Sequence, residues 1–151
     1  MAYEQTFCLL KPGVLQRRIV GEVLTRIERK GLKLVAMRLI QMDRELCEKQ
    51  YQEHEGKPFY NDLVSYMQSG PVITMVVAGE DAISYMRTLA GATNPKEAAA
   101  GTLRGDFAVI TQNNIIHASD SPVSAAREID LFFTPEEIHE YEDPNAGWIS
   151  G

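Results

Sequence analysis

Cysteine is scarce in this chain. Cys8 and Cys47 are its only two, too few for a disulfide framework, and both stand in apolar or helical runs that suit buried free thiols. Long apolar stretches are missing too. The longest, Val72 to Ala78, falls far short of the roughly 18 residues that a membrane span requires. There is no excess of positive charge: the formal net charge of −6 excludes a general affinity for nucleic acid or acidic membranes, though not a local basic pocket. Met1-Ala2-Tyr3-Glu4-Gln5 has neither the basic start nor the apolar stretch of a signal peptide, and no Asn-x-Ser/Thr occurs, so a cytoplasmic location is expected. No Gly-x-Gly-x-x-Gly is found, and Gly56-Lys57 runs into Pro58, so both glycine-rich phosphate loops are excluded. Any phosphate held here must be held by side chains.

What is present reads as one soluble domain over residues 1–151, with 142–151 a C-terminal tail. A chain of 151 residues buries roughly 68–70% of its unfolded surface and needs no disulfide or metal to fold. Thr6 to Leu10 reads as a buried strand closed by Lys11-Pro12-Gly13. Ile19, Val20, Val23, Leu24 and Ile27 recur at helical spacing, and Gly31 stops that helix. Leu32 to Gln41 alternates like a strand. Asp43 is placed to cap a helix through Tyr51, and Asn61 another ending near Gly70. Pro71 opens the strand Val72 to Ala78, and Asp81 precedes a helix to about Leu89. A long loop is expected from Ala90 to Asn113, broken only by the short apolar segment Phe107 to Ile110. Asn114 to His117 forms a short strand, Ser121-Pro122 starts a helix to Phe133, and Thr134-Pro135-Glu136-Glu137 is a capping box. Four strands with crossover helices in this order predict an α+β, ferredoxin-like split-βαβ sandwich, a four-stranded antiparallel sheet covered by helices.

Among the three histidines, His54 and His139 lie in polar contexts and read as solvated. His117 ends the apolar pair Ile115-Ile116 and precedes Ala118-Ser119-Asp120-Ser121, a strand end running into a helix start. In that helix Ala125, Ile129, Phe132 and Phe133 face inward, and Glu128 stands on the rim of their face. An acid there needs a partner, and a nearby imidazole would let it fix the ring's tautomer and stabilise charge developing on it. Lys11, Arg87 and Arg104 are cations suited to phosphate, the arginines by their forks and the lysine as a point charge.

From Gln5 to Tyr141 the chain resembles the nucleoside diphosphate kinases. The segment Asn114-Ile115-Ile116-His117-Ala118-Ser119-Asp120-Ser121 is similar to that family's active-site segment. Lys11-Pro12, Arg17, Lys57-Pro58-Phe59, Ser69-Gly70-Pro71-Val72, Gly91-Ala92-Thr93-Asn94-Pro95 and Gly101-Thr102-Leu103-Arg104-Gly105-Asp106-Phe107 follow the family order and spacing. The resemblance implies that His117 accepts a γ-phosphoryl group on Nδ1, giving ping-pong transfer between ATP or other nucleoside triphosphates and diphosphates. It implies that Glu128 holds the ring with help from Ser119, and that Tyr51 lies close to it. Arg87, Thr93 and Arg104 are implied to hold phosphates, and Lys11 and Asn114 the sugar hydroxyls and phosphate region. Phe59 would stack on the base, with Leu63 and Thr111 beside it. Asp120 would lie near Mg²⁺ carried by the nucleotide. A homo-oligomer is implied, a hexamer first and a tetramer as the alternative. Three positions depart from the family: Gly13 replaces an aspartate, Ala100 a proline, and Thr111 an apolar residue.

Two rival readings are a catalytically silent interaction module and a nucleic-acid binder using Arg17, Arg18, Arg26, Arg29, Lys30 and Lys33. The intact set of His117, Glu128, Lys11, Arg87 and Arg104 opposes the first. Interrupting acids and the lack of an aromatic-rich strand oppose the second. In the tail, Trp148 and Ile149 are expected to pack on a neighbouring subunit.

Overall fold

In the computed structural model, which describes residues 2–151, the chain opens with strand β1 (Tyr3–Leu10). Gly13, at φ +98°, turns it into a single helical turn, α1 (Val14–Arg17). The left-handed backbone there is one that glycine alone adopts without strain.

Helix α2 (Val20–Arg29) stops at Gly31, as the sequence predicts. The Gly31 N–H meets the Glu28 carbonyl at 2.9 Å and the Leu32 N–H meets that of Ile27 at 3.3 Å. That pair of bonds is the Schellman helix stop, and Gly31 has φ +93°. A Cβ on residue 31 would also lie 2.5 Å from Ile149 Cγ2. Gly31→Ala is therefore expected to lower unfolding free energy by roughly 1–3 kcal/mol, the cost of one strained left-handed residue. Urea denaturation with an unmoved midpoint would refute this.

Strand β2 (Lys33–Ile40) and helix α3 (Arg44–Gln50) follow, with the Asp43 carboxylate capping α3 by accepting the Leu46 N–H at 2.8 Å. Helix α4 (Tyr60–Met67) starts two residues before the expected position, with Phe59 rather than Asn61 at its cap. Strand β3 (Val72–Glu80) leads into α5 (Ala82–Ala90). The expected long loop contains a helix, α6 (Leu103–Phe107), capped by Thr102 Oγ1 on the Gly105 N–H at 3.0 Å. Five residues with a central glycine are too few to show a helical period, which hid it. Strand β4 (Ile116–Ala118), α7 (Pro122–Phe132) and the short tail helix α8 (Ala146–Ile149) complete the chain.

The sheet order is β2-β3-β1-β4 and every pairing is antiparallel, as expected of the ferredoxin-like α+β class. Strand alternation divides the core in two. Cys8, Leu10, Ile73, Met75 and Val77 face α2 and α5. Phe7, Leu9, Val72, Val76 and Ala78 face the layer of α3, α4 and α7. Both faces are covered, so β1 and β3 read as continuous apolar runs rather than alternating ones. On β4, Ile116 and Ala118 join the first layer. His117 therefore points to the second, opposite Leu9 in the register.

Candidate active site

His117 Nε2 lies 2.7 Å from Glu128 Oε2. A carboxylate accepts only, so in the neutral ring Nε2 carries the proton and Nδ1 keeps its lone pair. The imidazole is 26% exposed. Its ring meets Phe7 at a centroid distance of 6.2 Å and the edge of Tyr51 at 6.5 Å.

Glu128 is not a rim residue: it is only 3% exposed. Ser119 Oγ donates to Oε1, and Gln50 Nε2 donates to Oε2 at 2.7 Å. Burial would push this carboxyl up. Hydrogen bonds from His117, Ser119 and Gln50, with the charge of His117, outweigh that and hold it below its ordinary range. Burial pushes the Tyr51 phenol up, so it stays protonated.

His117 looks onto a cavity of about 560 Å³. Lys11, Arg87 and Arg104 line it, with Thr93 and Asn114 between them. None of these three cations pairs with an acid among the described residues. Burial and the Arg104 charge lower Lys11 to about 8, and burial and Arg87 lower Arg104 to about 10. Crowded cations of this kind await an anion. Across the cavity Phe59, Leu63 and Thr111 give an aromatic and aliphatic wall, with Phe59 half-exposed.

Local structure explains these placements. Arg104 Nη1 bonds to the Gly91 carbonyl at 2.8 Å, Nη2 to that of Ile116 at 2.6 Å and Nε to that of Asn114 at 3.3 Å. Three of its five N–H groups thus tie α6 and the post-α5 loop to β4, and two stay free. Arg87 Nη1 bonds to the Ala118 carbonyl at 3.1 Å, and Asn114 Nδ2 to that of Thr93 at 2.9 Å. Between Asn114 and β4, Ile115 takes φ +78°, and the Ile116 N–H reaches back to the Asn114 carbonyl at 2.9 Å. A β-branched residue rarely accepts such a turn, and here it brings backbone strain to the site.

One expected residue stands apart. Asp120 is exposed and does not line the cavity; hydrogen bonds from Ser124 and Ser121 with the Arg87 charge keep it ionised below the usual range. Two residues read as unimportant or passed over are at the site. His54, expected to be solvated, is half-buried on the cavity wall, 5.2 Å from the Phe59 ring. Gln50 is 1% exposed. Its signal was a polar residue three positions beyond Cys47, on the buried face of α3.

Such a cavity suits a group-transfer enzyme whose substrate joins a flat ring to phosphates. The family model for nucleoside diphosphate kinase matches residues 4–138. A relative from Archaeoglobus fulgidus named nucleoside diphosphate kinase is 55% identical over 146 residues, covering 97% of both chains. One of the same name from Listeria monocytogenes is 54% identical over 146 residues, covering 97% of this chain and 99% of its own. A solved halophilic nucleoside diphosphate kinase from Halobacterium salinarum, in complex with CDP, superposes with a TM-score of 0.97 at 41% identity, covering 99% of this chain and 100% of that one. The chain belongs to the nucleoside diphosphate kinase family. It is an enzyme that transfers phosphate between nucleotides. No helix among the described residues is long and apolar enough to cross a membrane.

Proposed function

We propose that the γ-phosphate of a nucleoside triphosphate passes to a nucleoside diphosphate by way of His117. The observation that carries this is the 2.7 Å bond from His117 Nε2 to Glu128, which leaves Nδ1 unprotonated beside three unpaired cations. The Nδ1 lone pair attacks the γ-phosphorus in line, and the bond to the β-phosphate oxygen breaks with its electrons on the leaving diphosphate. Nε2 keeps its proton, and Glu128 stabilises the charge that the ring acquires. A second diphosphate then attacks the phosphohistidine in the reverse sense, so one imidazole serves donor and acceptor in turn. Lys11, Arg87 and Arg104 offset charge on the phosphate oxygens, where positioning and electrostatics dominate phosphoryl transfer. Phe59 and Leu63 form a shelf for the base, and Thr93 and Asn114 are the polar groups between shelf and phosphates.

Mg²⁺ is expected to travel with the nucleotide. Among the described residues no group of three or more His, Cys, Asp or Glu forms a metal cage, which fits a hard cation held mainly by phosphates and water. Asp120 is the carboxylate nearest in sequence to the reacting histidine, and it would act on that ion indirectly while neutralised in part by Arg87. Buried free thiols at Cys8 and Cys47 fit the reducing cytoplasm. A homo-oligomer, a hexamer before a tetramer, is supported by the edge strand β2 with exposed Met37 and Leu39, by exposed Val109 and Ile110, and by Trp148 at 91% exposure. Ile149 lies against Gly31 of its own chain yet stays 50% exposed, so both residues of the expected tail pair keep surface for a neighbour.

The test is to mix γ-³²P-labelled ATP with the protein and map the label. An acid-labile, base-stable label on the His117 peptide is expected; label elsewhere, or none, would sink the reading. Lys11 offers a second check. At pH 9 it is largely neutral in the free protein, whose lysine titrates at about 8, and bound phosphates favour its charged form. Nucleotide binding there should take up close to one proton, because the phosphates themselves are already fully ionised. Affinity should weaken as pH rises through 8. Calorimetry in buffers of different ionisation heat measures the uptake, and an uptake of zero would remove Lys11 from the phosphate site.

A further inference from the structure

We infer that Gln50 is a positioning residue, whose side-chain amide holds the Glu128 carboxylate so that the proton stays on His117 Nε2 and the lone pair on Nδ1. This rests on the phosphohistidine reading above and adds a residue to it.

Gln50 is buried at the C-terminal end of α3, between Cys47 and Tyr51, where an amide is unfavourable unless it bonds. Its Nε2 lies 2.7 Å from Glu128 Oε2 and 3.3 Å from His117 Nε2. Two nitrogens thus converge on one carboxylate oxygen, and each directs a proton to it rather than to the other. The amide cannot be reversed, because its carbonyl oxygen would then face a carboxylate at hydrogen-bond distance. That carbonyl, Gln50 Oε1, is buried without a partner. Retaining an unpaired acceptor is consistent with an amide fixed through its NH₂ end.

The other two donors to Glu128 are His117 and Ser119, both on the single segment 117–119. A carboxylate held by these alone would follow the reacting ring as it moves. Gln50 supplies a donor from a different element and so a fixed reference. Its own backbone is anchored: Arg127 Nη2 bonds to the Gln50 carbonyl and Nη1 to that of Lys49, both at 3.3 Å. No other neighbour can take over the task. Arg127 Nη2 stands 3.7 Å from Glu128 Oε2, beyond a hydrogen bond, and the Tyr51 hydroxyl has no hydrogen-bond partner. Cys8 on β1 points into the opposite layer, toward α2 and α5, and burial keeps it a neutral thiol.

Gln50→Met keeps length and volume and removes the donor. Single-turnover phosphorylation of His117 by ATP should slow about tenfold at saturation, the lower limit for losing one hydrogen bond to a charged group, with half-saturation within about twofold of wild type. ¹⁵N spectra of the histidine ring should show the Nδ1–H tautomer appearing. Val64→Ala, which opens space in the same buried layer on α4, should lower stability without moving the tautomer. In the wild-type enzyme, which needs no variant to fold, the Gln50 NH₂ resonances should exchange slowly and shift when ATP phosphorylates His117. An unchanged rate and tautomer in Gln50→Met, an equal tautomer shift in Val64→Ala, or unshifted Gln50 resonances on a labelled enzyme would each overturn the assignment to Gln50. A wild-type protein that never labels at His117 would instead overturn the parent reading.

Discussion

Replacing His117 with alanine should reduce phosphate transfer between nucleotides to background while the protein remains folded. The imidazole borders open space, so its removal enlarges the cavity instead of leaving a sealed void in the core. The main structural cost falls on Glu128, which loses one of its three side-chain donors but keeps Ser119 and Gln50. A weakened bond to a buried carboxylate costs roughly 1–3 kcal/mol. At roughly 2–4 °C per kcal/mol for a chain of this size, the melting temperature should fall by several degrees and no further. No other group is equipped to replace the nucleophile. His54 shares the cavity, but its Nδ1 lies 3.2 Å from Lys57 Nζ and its Nε2 3.7 Å from Glu53, a half-exposed setting without a buried carboxylate. A coupled assay with ATP and a second nucleoside diphosphate reads the activity. Turnover near the parent's in a folded His117→Ala would place the nucleophile elsewhere, and peptide mapping would show whether His54 had taken the label.

How much of this site could be read from residue order depended on the range of each interaction. Strands β1 and β3, the Gly31 stop and the Ser121 cap of α7 are signals contained within a few residues, and all were legible. His117 was legible as a strand end meeting a helix start. Glu128 reads as a helix-rim residue because the periodicity of α7 assigns faces but not depth; it is buried where α7 packs on β1 and Gln50 of α3 reaches its carboxylate. Gln50 was passed over because a glutamine in a helix ordinarily reads as surface, and only the packing of α3 on α7 turns it inward. Arg104 read as a free phosphate ligand, yet three of its N–H groups bind carbonyls 10 to 13 residues away in the chain. Two of those acceptors, the Asn114 and Ile116 carbonyls, flank the positive φ of Ile115, which no propensity for isoleucine foretells. Asp120 is tied to the nucleotide by family likeness alone, and its side chain accepts from Ser124 and Ser121 at the start of α7.

Glu128→Gln should lower the transfer rate about a hundredfold, roughly 2.7 kcal/mol of transition-state stabilisation, at the low end for a positioned acid–base partner. The amide is isosteric, and the surroundings admit it in one orientation. Its carbonyl oxygen would take the place of Oε2 and accept from His117 and Gln50, while its NH₂ faces Ser119 Oγ. The Ser119 hydroxyl can accept that bond and turn its proton to the Phe7 carbonyl, 3.3 Å away. Ring orientation therefore survives, and what disappears is the negative charge that stabilises the imidazole as it becomes a phosphorylated cation. Stability should respond to pH in a defined way. Glu128 titrates below the ordinary value of 4.5 in the folded protein, so its charged form contributes stability above 4.5 that is lost as pH falls through the folded value. The parent should accordingly lose stability in that acidic range, and the variant, with nothing to titrate at residue 128, should lose less. Chemical denaturation of both proteins between neutral pH and the acid limit tests this, alongside stopped-flow turnover at neutral pH. Unchanged turnover would reduce Glu128 to a buried structural acid. A loss of turnover with parallel pH–stability curves would mean that its hydrogen bonds matter to the ring while its charge does not.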